Sequence, residues 1–110
     1  MRNRAEALTI DKFKSGITEK AWMAQIVQLA KLMGFSVYHP FLSIHSERGF
    51  PDLTLVRERL ILVELKTEKG KLTLDQERWI EMLRKANVEI YVWRPSDFDE
   101  VVRVLGRRQG

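Results

Sequence analysis

The run Leu60-Ile61-Leu62-Val63-Glu64-Leu65-Lys66 restricts the fold of this chain more than any other segment. Alternate residues of an extended strand point to opposite faces, so Leu60 and Leu62 share one face and Ile61, Val63 and Leu65 the other. A strand that is apolar on both faces belongs inside a covered sheet. Leu53 to Val56 reads as its neighbour, joined to it by the polar turn Arg57-Glu58-Arg59, with the second strand running from Leu60 to Thr67. Phe35 to His39 and Val88 to Trp93 supply two more strands. An irregular loop through His45, Ser46, Glu47, Arg48 and Gly49 precedes the strand pair.

Helices fill the gaps. From Thr18, the residues Trp22, Met23, Ile26, Ala30 and Met33 recur at the period of one helix face, and Gly34 stops the pattern. After a loop from Glu68 to Leu72, Thr73 stands three residues before Gln76, the capping-box spacing. Trp79, Leu83 and Ala86 form the expected buried stripe of that helix, and Asn87 suits its end. Pro95 with Ser96 or Asp97 opens a last helix through Leu105. The order is helix, three strands, helix, strand, helix (αβββαβα), which predicts one α/β domain with a mixed central sheet flanked by helices. We divide the chain into a flexible basic arm (1–16, with Arg2, Arg4, Lys12 and Lys14), the domain (17–106) and a basic tail (107–110). With 110 residues, 45% of them hydrophobic, the chain can bury roughly two thirds of its unfolded surface around one core.

Composition narrows the function classes. No apolar run approaches the ~18 residues a membrane helix needs, and the first fifteen residues lack the apolar core of a signal peptide. The expectation is a cytoplasmic protein with no membrane partner. The absence of cysteine excludes disulfides and thiolate zinc sites, so a metal would be held by oxygen or imidazole. A net charge of +4 and a pI near 9.6 favour a polyanionic partner.

The chemistry lies in charges that packing alone would not place. Asp52 stands at the mouth of one strand, and Glu64 and Lys66 sit inside the most apolar one. A buried charge costs several kcal/mol unless it is paired or metal-bound. A three-residue turn puts position 52 opposite position 64, on one face with Lys66. Two close carboxylates repel unless a cation lies between them, and hard oxygen donors select magnesium or manganese. Lys66 would then orient a water and stabilise charge developing on phosphorus. The same residues also fit an ordinary Glu64–Lys66 ion pair with Asp52 capping a turn after Pro51, and spacing alone leaves both readings open. Glu19 begins the first helix's apolar stripe, so it is expected to face the sheet and complete the metal site. A carboxylate there is also favoured by the helix macrodipole. Gln76 is equally a capping partner of Thr73 and a candidate active-site group.

These residues carry a resemblance. Gly49-Phe50-Pro51-Asp52, then Glu64-Leu65-Lys66, Gly70-Lys71-Leu72, and Gln76 with Trp79 resemble the VRR-NUC family, the virus-type replication-repair nuclease domain of the PD-(D/E)xK superfamily, over roughly Thr18 to Leu105. The resemblance implies a restriction-endonuclease-like core and a magnesium-dependent deoxyribonuclease, with manganese as a substitute. It implies metal binding by Asp52, Glu64 and the backbone carbonyl of Leu65, with Glu19 supporting the site. It further implies catalysis by Lys66 and positioning of substrate or water by Gln76. The implied substrate is branched or flapped DNA, and stand-alone members resemble phage Holliday-junction resolvases. A flap or generic duplex nuclease, and a DNA-binding module that has lost catalysis, are the alternatives.

Ser46, Arg48, Lys69 and Lys71 are candidate phosphate contacts in loops beside the motif. His39 and His45 raise a histidine-based nuclease, but no partner residue stands at a useful spacing. Trp79 and Trp93 are expected in the core. A symmetric homodimer is expected from a junction's two-fold geometry. Its interface candidates are the strand near Phe35 to Tyr38, the loop Phe41 to Ile44, and the last helix with Val101, Val102 and Leu105.

Overall fold

The structure is a computed structural model that describes residues 16–40 and 48–108. The expectations for the N-terminal arm, for His45 and Ser46, and for the loop Phe41 to Ile44 lie outside those residues. Helix α1 (Glu19–Leu32) is followed by β1 (Ser36–Tyr38), β2 (Leu53–Val56), β3 (Leu60–Leu65), α2 (Leu74–Lys85), β4 (Glu89–Trp93), a 3-10 turn (Pro95–Asp97) and α3 (Phe98–Gly106). The sheet order is β1-β2-β3-β4, antiparallel except for the parallel pair β3 and β4. This is the mixed α/β sheet that the sequence predicts, with strands a residue or two shorter at their ends. No helix among the described residues is long and apolar enough to cross a membrane.

Local signals explain where elements begin and end. Thr18 caps α1 by accepting the Ala21 N–H. At the other end Gly34 takes a φ of +93°, and Phe35 N–H reaches back to the Ala30 carbonyl. Such a left-handed stop favours glycine. Asn87, at φ 62°, closes α2 in the same way, with Val88 N–H donating to Leu83 O. Pro95 forms the 3-10 turn, and α3 begins three residues later.

Helices α1 and α3 cover one face of the sheet. Trp22, Ile26 and Ala30 from α1, and Val101, Val104 and Leu105 from α3, pack with Leu53, Leu55, Ile61, Val63, Leu65 and Trp93. Burial of Val101 and Leu105 makes α3 a core element and removes those two from the interface candidates; Val102 is exposed. Helix α2 covers the other face only over β3 and β4, through Ile80 against Leu62 and Ile90. Its stripe is centred on Ile80. Of the predicted stripe, Leu83 packs on this cluster, Trp79 is half-buried outside it and Ala86 is exposed, while Ile80 takes the central place. On this face Tyr38 of β1, Val56 of β2 and Leu60 at the start of β3 are exposed. The double covering expected for the whole of β3 holds from Ile61 to Leu65.

Arginines at the turn between β2 and β3 hold the helix ends. Arg57 donates to Met33 O and Leu105 O, at 2.9 and 3.1 Å, and its guanidinium lies 4.2 Å from the centre of the Phe35 ring. Buried Arg59 forms a two-pronged pair with Glu89 at 3.0 Å per contact, and donates to Val104 O and Arg107 O. These are carbonyls at helix C-termini, where positive charge is favourable. Arg107 and Arg108, at the start of the basic tail, make ion pairs with Glu89 and Glu58.

Candidate active site

The turn Arg57-Glu58-Arg59 contains three residues, and the register pairs Val56 with Leu60 and Leu53 with Val63. One further step along that ladder brings Asp52 against Glu64, on the face that α2 covers. Asp52 Oδ2 accepts the Leu65 N–H at 2.8 Å. Glu64 is only 1% exposed; its Oε2 accepts from Gln76 Nε2 at 3.0 Å, and its Oε1 has no hydrogen-bond partner among the described residues. Burial pushes the Glu64 carboxyl up to about 8, with the neighbouring Asp52 carboxylate adding to the effect, Lys66 opposing it and Glu19 contributing least. The pair is therefore a desolvated acid site that gains from a positive partner.

Gln76 makes the capping contacts that its position suggested and a further one to Glu64. Its Oε1 accepts the Thr73 N–H and its own N–H donates to Thr73 Oγ1, the reciprocal capping box. Its amide nitrogen is left free to hold Glu64.

Lys66 lies just beyond β3, half-buried. Its N–H donates to Trp93 O at 3.1 Å, and the same carbonyl accepts from Trp22 Nε1 at 2.9 Å. That shared acceptor ties the first turns of α1 to the end of β3. Glu19 is nevertheless exposed, and among the described residues no group of three or more His, Asp or Glu is close enough to hold a metal ion. The expected cluster of Glu19, Asp52 and Glu64 is thus a pair with a third acid acting at longer range. Glu19 directly follows the N-cap, at an end of α1 that faces water. The donors still available, Asp52, the unpaired Glu64 Oε1 and backbone carbonyls, are all oxygen, which fits a hard divalent cation.

Asp52 is positioned by the loop before it. Gly49 has a φ of +86°, and a Cβ there would stand 2.4 Å from the Asp75 carbonyl carbon. Gly49 thus seats the loop on the first turn of α2. Next to it, Phe50 meets Trp79 edge to face, with ring centres 5.1 Å apart. Trp79, expected in the core, is half-buried and lines a groove of about 980 Å³ with Met23, Tyr38, Arg48, Asp52 and Gln76. Trp93 is in the core, as expected. His39 also lines the groove and is exposed.

Lys69 and Lys71 are exposed in the loop after Lys66. Sequence reasoning missed the residue that shapes this loop: Arg94 Nη1 donates to Thr67 O at 2.6 Å and Gly70 O at 2.5 Å. Its only signal was its place directly after the fourth strand. Phe50 was also missed as a groove residue, although its neighbour Pro51 marked the segment as a turn rather than core.

Comparison with curated proteins finds no match. A solved structure described as a "VRR_NUC domain protein" superposes with a TM-score of 0.66, covering 82% of this chain and 86% of the other at 23% identity. That likeness shows a shared fold. The family model for the VRR-NUC domain matches residues 41–97, just over half of the chain, a span that contains Asp52, Glu64, Lys66 and Gln76. The chain belongs to the VRR-NUC domain family, nucleases of the PD-(D/E)xK type.

Proposed function

We propose that this nuclease is a divalent-metal-dependent, structure-selective DNA endonuclease that resolves four-way junctions. The observation that carries the metal-dependent reading is buried Glu64 beside half-buried Asp52, with the Oε1 of Glu64 unpartnered among the described residues. A binding module gains nothing from a desolvated acid pair, whereas a hydrolase that needs a cation beside phosphorus does. Asp52, Glu64 and the Leu65 carbonyl would hold magnesium, or manganese in its place. When bound, such an ion neutralises charge on the phosphate and makes a water more acidic.

The remaining roles belong to side chains. Gln76 keeps Glu64 turned toward Asp52, and Asp52 is in turn held by the Leu65 N–H. Lys66 orients the attacking water and offers its charge to a phosphate oxygen. Glu19 supports the site from the first turn of α1. In the reaction a water oxygen bonds to phosphorus, one P–O ester bond breaks, and the departing oxygen takes up a proton. Arg48, at the groove, and Lys69 and Lys71, beyond β3, contact flanking phosphates, as does Ser46. A junction needs two symmetric nicks, so the active species is a homodimer, with the exposed Tyr38 on edge strand β1 as an interface candidate.

The test is cleavage of end-labelled junction, flap and linear duplex in magnesium, in manganese and in EDTA. Paired nicks in the junction with either metal and none in EDTA are expected. Preferred cutting of the flap would move the substrate to flapped DNA, and cutting in EDTA would remove the metal.

A further inference from the structure

We infer that Phe50 and Trp79 form a stacking site for one unpaired nucleobase beside Asp52, so that the groove selects DNA with an unpaired nucleotide over fully paired duplex. The inference rests on the nuclease reading above and adds what the active site grips. Phe50 is 41% exposed and Trp79 half-buried, although both are large and apolar. They meet nearly perpendicular, at 81°. An edge-to-face pair leaves ring faces unstacked, and each can accept a planar π system.

The pair is held in place. Gly49 seats the loop against the α2 backbone at a spacing no side chain fits, and Phe50 follows it directly. Trp79 lies on α2 one turn after Gln76, the residue that holds Glu64. The two rings thus line the same groove as Asp52 and as Gln76, which holds the buried Glu64. Its volume of about 980 Å³ is at the upper end of the roughly 300–1,000 Å³ typical of ligand sites. In a duplex each base face is already covered by its neighbours; in a loop, flap or junction crossover it is free to stack on a protein aromatic. Arg48 on the groove wall offers positive charge for the adjoining phosphate.

Fluorescence gives a readout that does not depend on cleavage. The chain has three tryptophans, and Trp22 and Trp93 are each 1% exposed, so quenching by an added oligonucleotide reports on Trp79. In EDTA, a ten-residue oligothymidylate is expected to quench this emission, while a fully paired hairpin is not. Phe50→Leu and Trp79→Leu, followed by anisotropy of the labelled strand, should each bind oligothymidylate on the order of 10-fold more weakly and bind the hairpin unchanged. Trp79→Phe should retain most of the binding, and circular dichroism of all three variants checks the fold. Undiminished strand binding in both leucine variants, or equal losses for strand and hairpin, would overturn the stacking site. Magnesium-dependent cleavage without quenching overturns it too and leaves the nuclease reading intact. Quenching with the predicted variant losses but no cleavage of any DNA supports the stacking site and counts against the nuclease reading.

Discussion

Gln76 Nε2 donates to Glu64 Oε2 at 3.0 Å, while Gln76 Oε1 and N–H close the cap of α2 on Thr73. One side chain therefore sets both where the helix starts and how the buried acid is turned. Removing it has two separable effects. Gln76→Ala loses a cap interaction of about 1 kcal/mol and leaves Glu64 without its donor, a further ~1–3 kcal/mol. Thr73→Ala loses the cap alone. Urea unfolding should show the larger loss for Gln76→Ala, and only that variant should cut more slowly. Equal losses in stability with equal turnover would reduce Gln76 to a capping residue.

The Glu64 carboxyl sets a pH dependence on stability in metal-free buffer. Its folded-state value is raised from 4.5 to about 8, so the folded protein keeps a proton that the unfolded chain gives up. The contribution is most favourable below about 4.5, declines as pH rises, and is fully lost above about 8. Glu64→Gln, neutral at every pH, should flatten this decline, stabilising the protein at pH 8 by on the order of a few kcal/mol. It should also abolish cleavage. Thermal melts in EDTA between pH 5 and 8 measure the first claim, and a parallel decline in wild type and variant would refute it.

Lys66→Met keeps most of the side chain's volume and removes its charge. The loss in single-turnover rate should be on the order of 10²-fold or more, with the melting temperature little changed. Near-native cutting would mean that Lys66 only balances the charge of Glu64.

The fold was legible because its signals are local: alternation in Leu60 to Leu65, the Thr73 and Gln76 spacing, and the Gly34 and Asn87 stops. The Asp52–Glu64 pairing followed from the three-residue turn. What escaped depends on distant packing. The position of Trp79 beside Phe50 depends on how α2 sits on the sheet, and the exposure of Glu19 on how the start of α1 sits beside it. The roles of Arg57 and Arg59 depend on carbonyls brought from Met33, Val104 and Leu105. Net charge was a blunt guide for the same reason, since those two arginines are occupied inside the protein.

That occupation separates two kinds of basic residue. Arg59→Met leaves Glu89 without its main partner and orphans helix-end carbonyls, so it should cost about 3 kcal/mol. The salt dependence of DNA binding should not change. Lys69→Ala and Lys71→Ala should do the reverse, leaving stability within about 0.5 kcal/mol and lowering the salt slope by about 1 each if they contact phosphates. Binding titrations from 50 to 200 mM salt distinguish the two classes, and an unaltered slope in both lysine variants would remove them from the interface.

Gly49 offers a test of positioning with no ligand touched. Its φ of +86° is costly for any residue with a Cβ, and the added carbon would meet Asp75 C at 2.4 Å, Asp75 O at 2.6 Å and Gln76 N at 2.7 Å. These are backbone atoms in the first turn of a capped helix, so the loop rather than the helix must move. Gly49→Ala should therefore cost about 2 kcal/mol or more. Because Phe50 and Asp52 follow within three residues, the shift should also carry them away from Trp79 and Glu64. A displacement near 1 Å is enough to lower rate on the order of 10²-fold. Gly106→Ala is the matching control, since a Cβ there meets nothing within 4 Å at the end of α3, and it should fold and cut as the parent does. The comparison is made at a temperature where unfolding curves show both variants fully folded, so that a rate difference reports geometry. If Gly49→Ala cuts at the parent rate under those conditions, the placement of Asp52 does not depend on the loop's seat against α2.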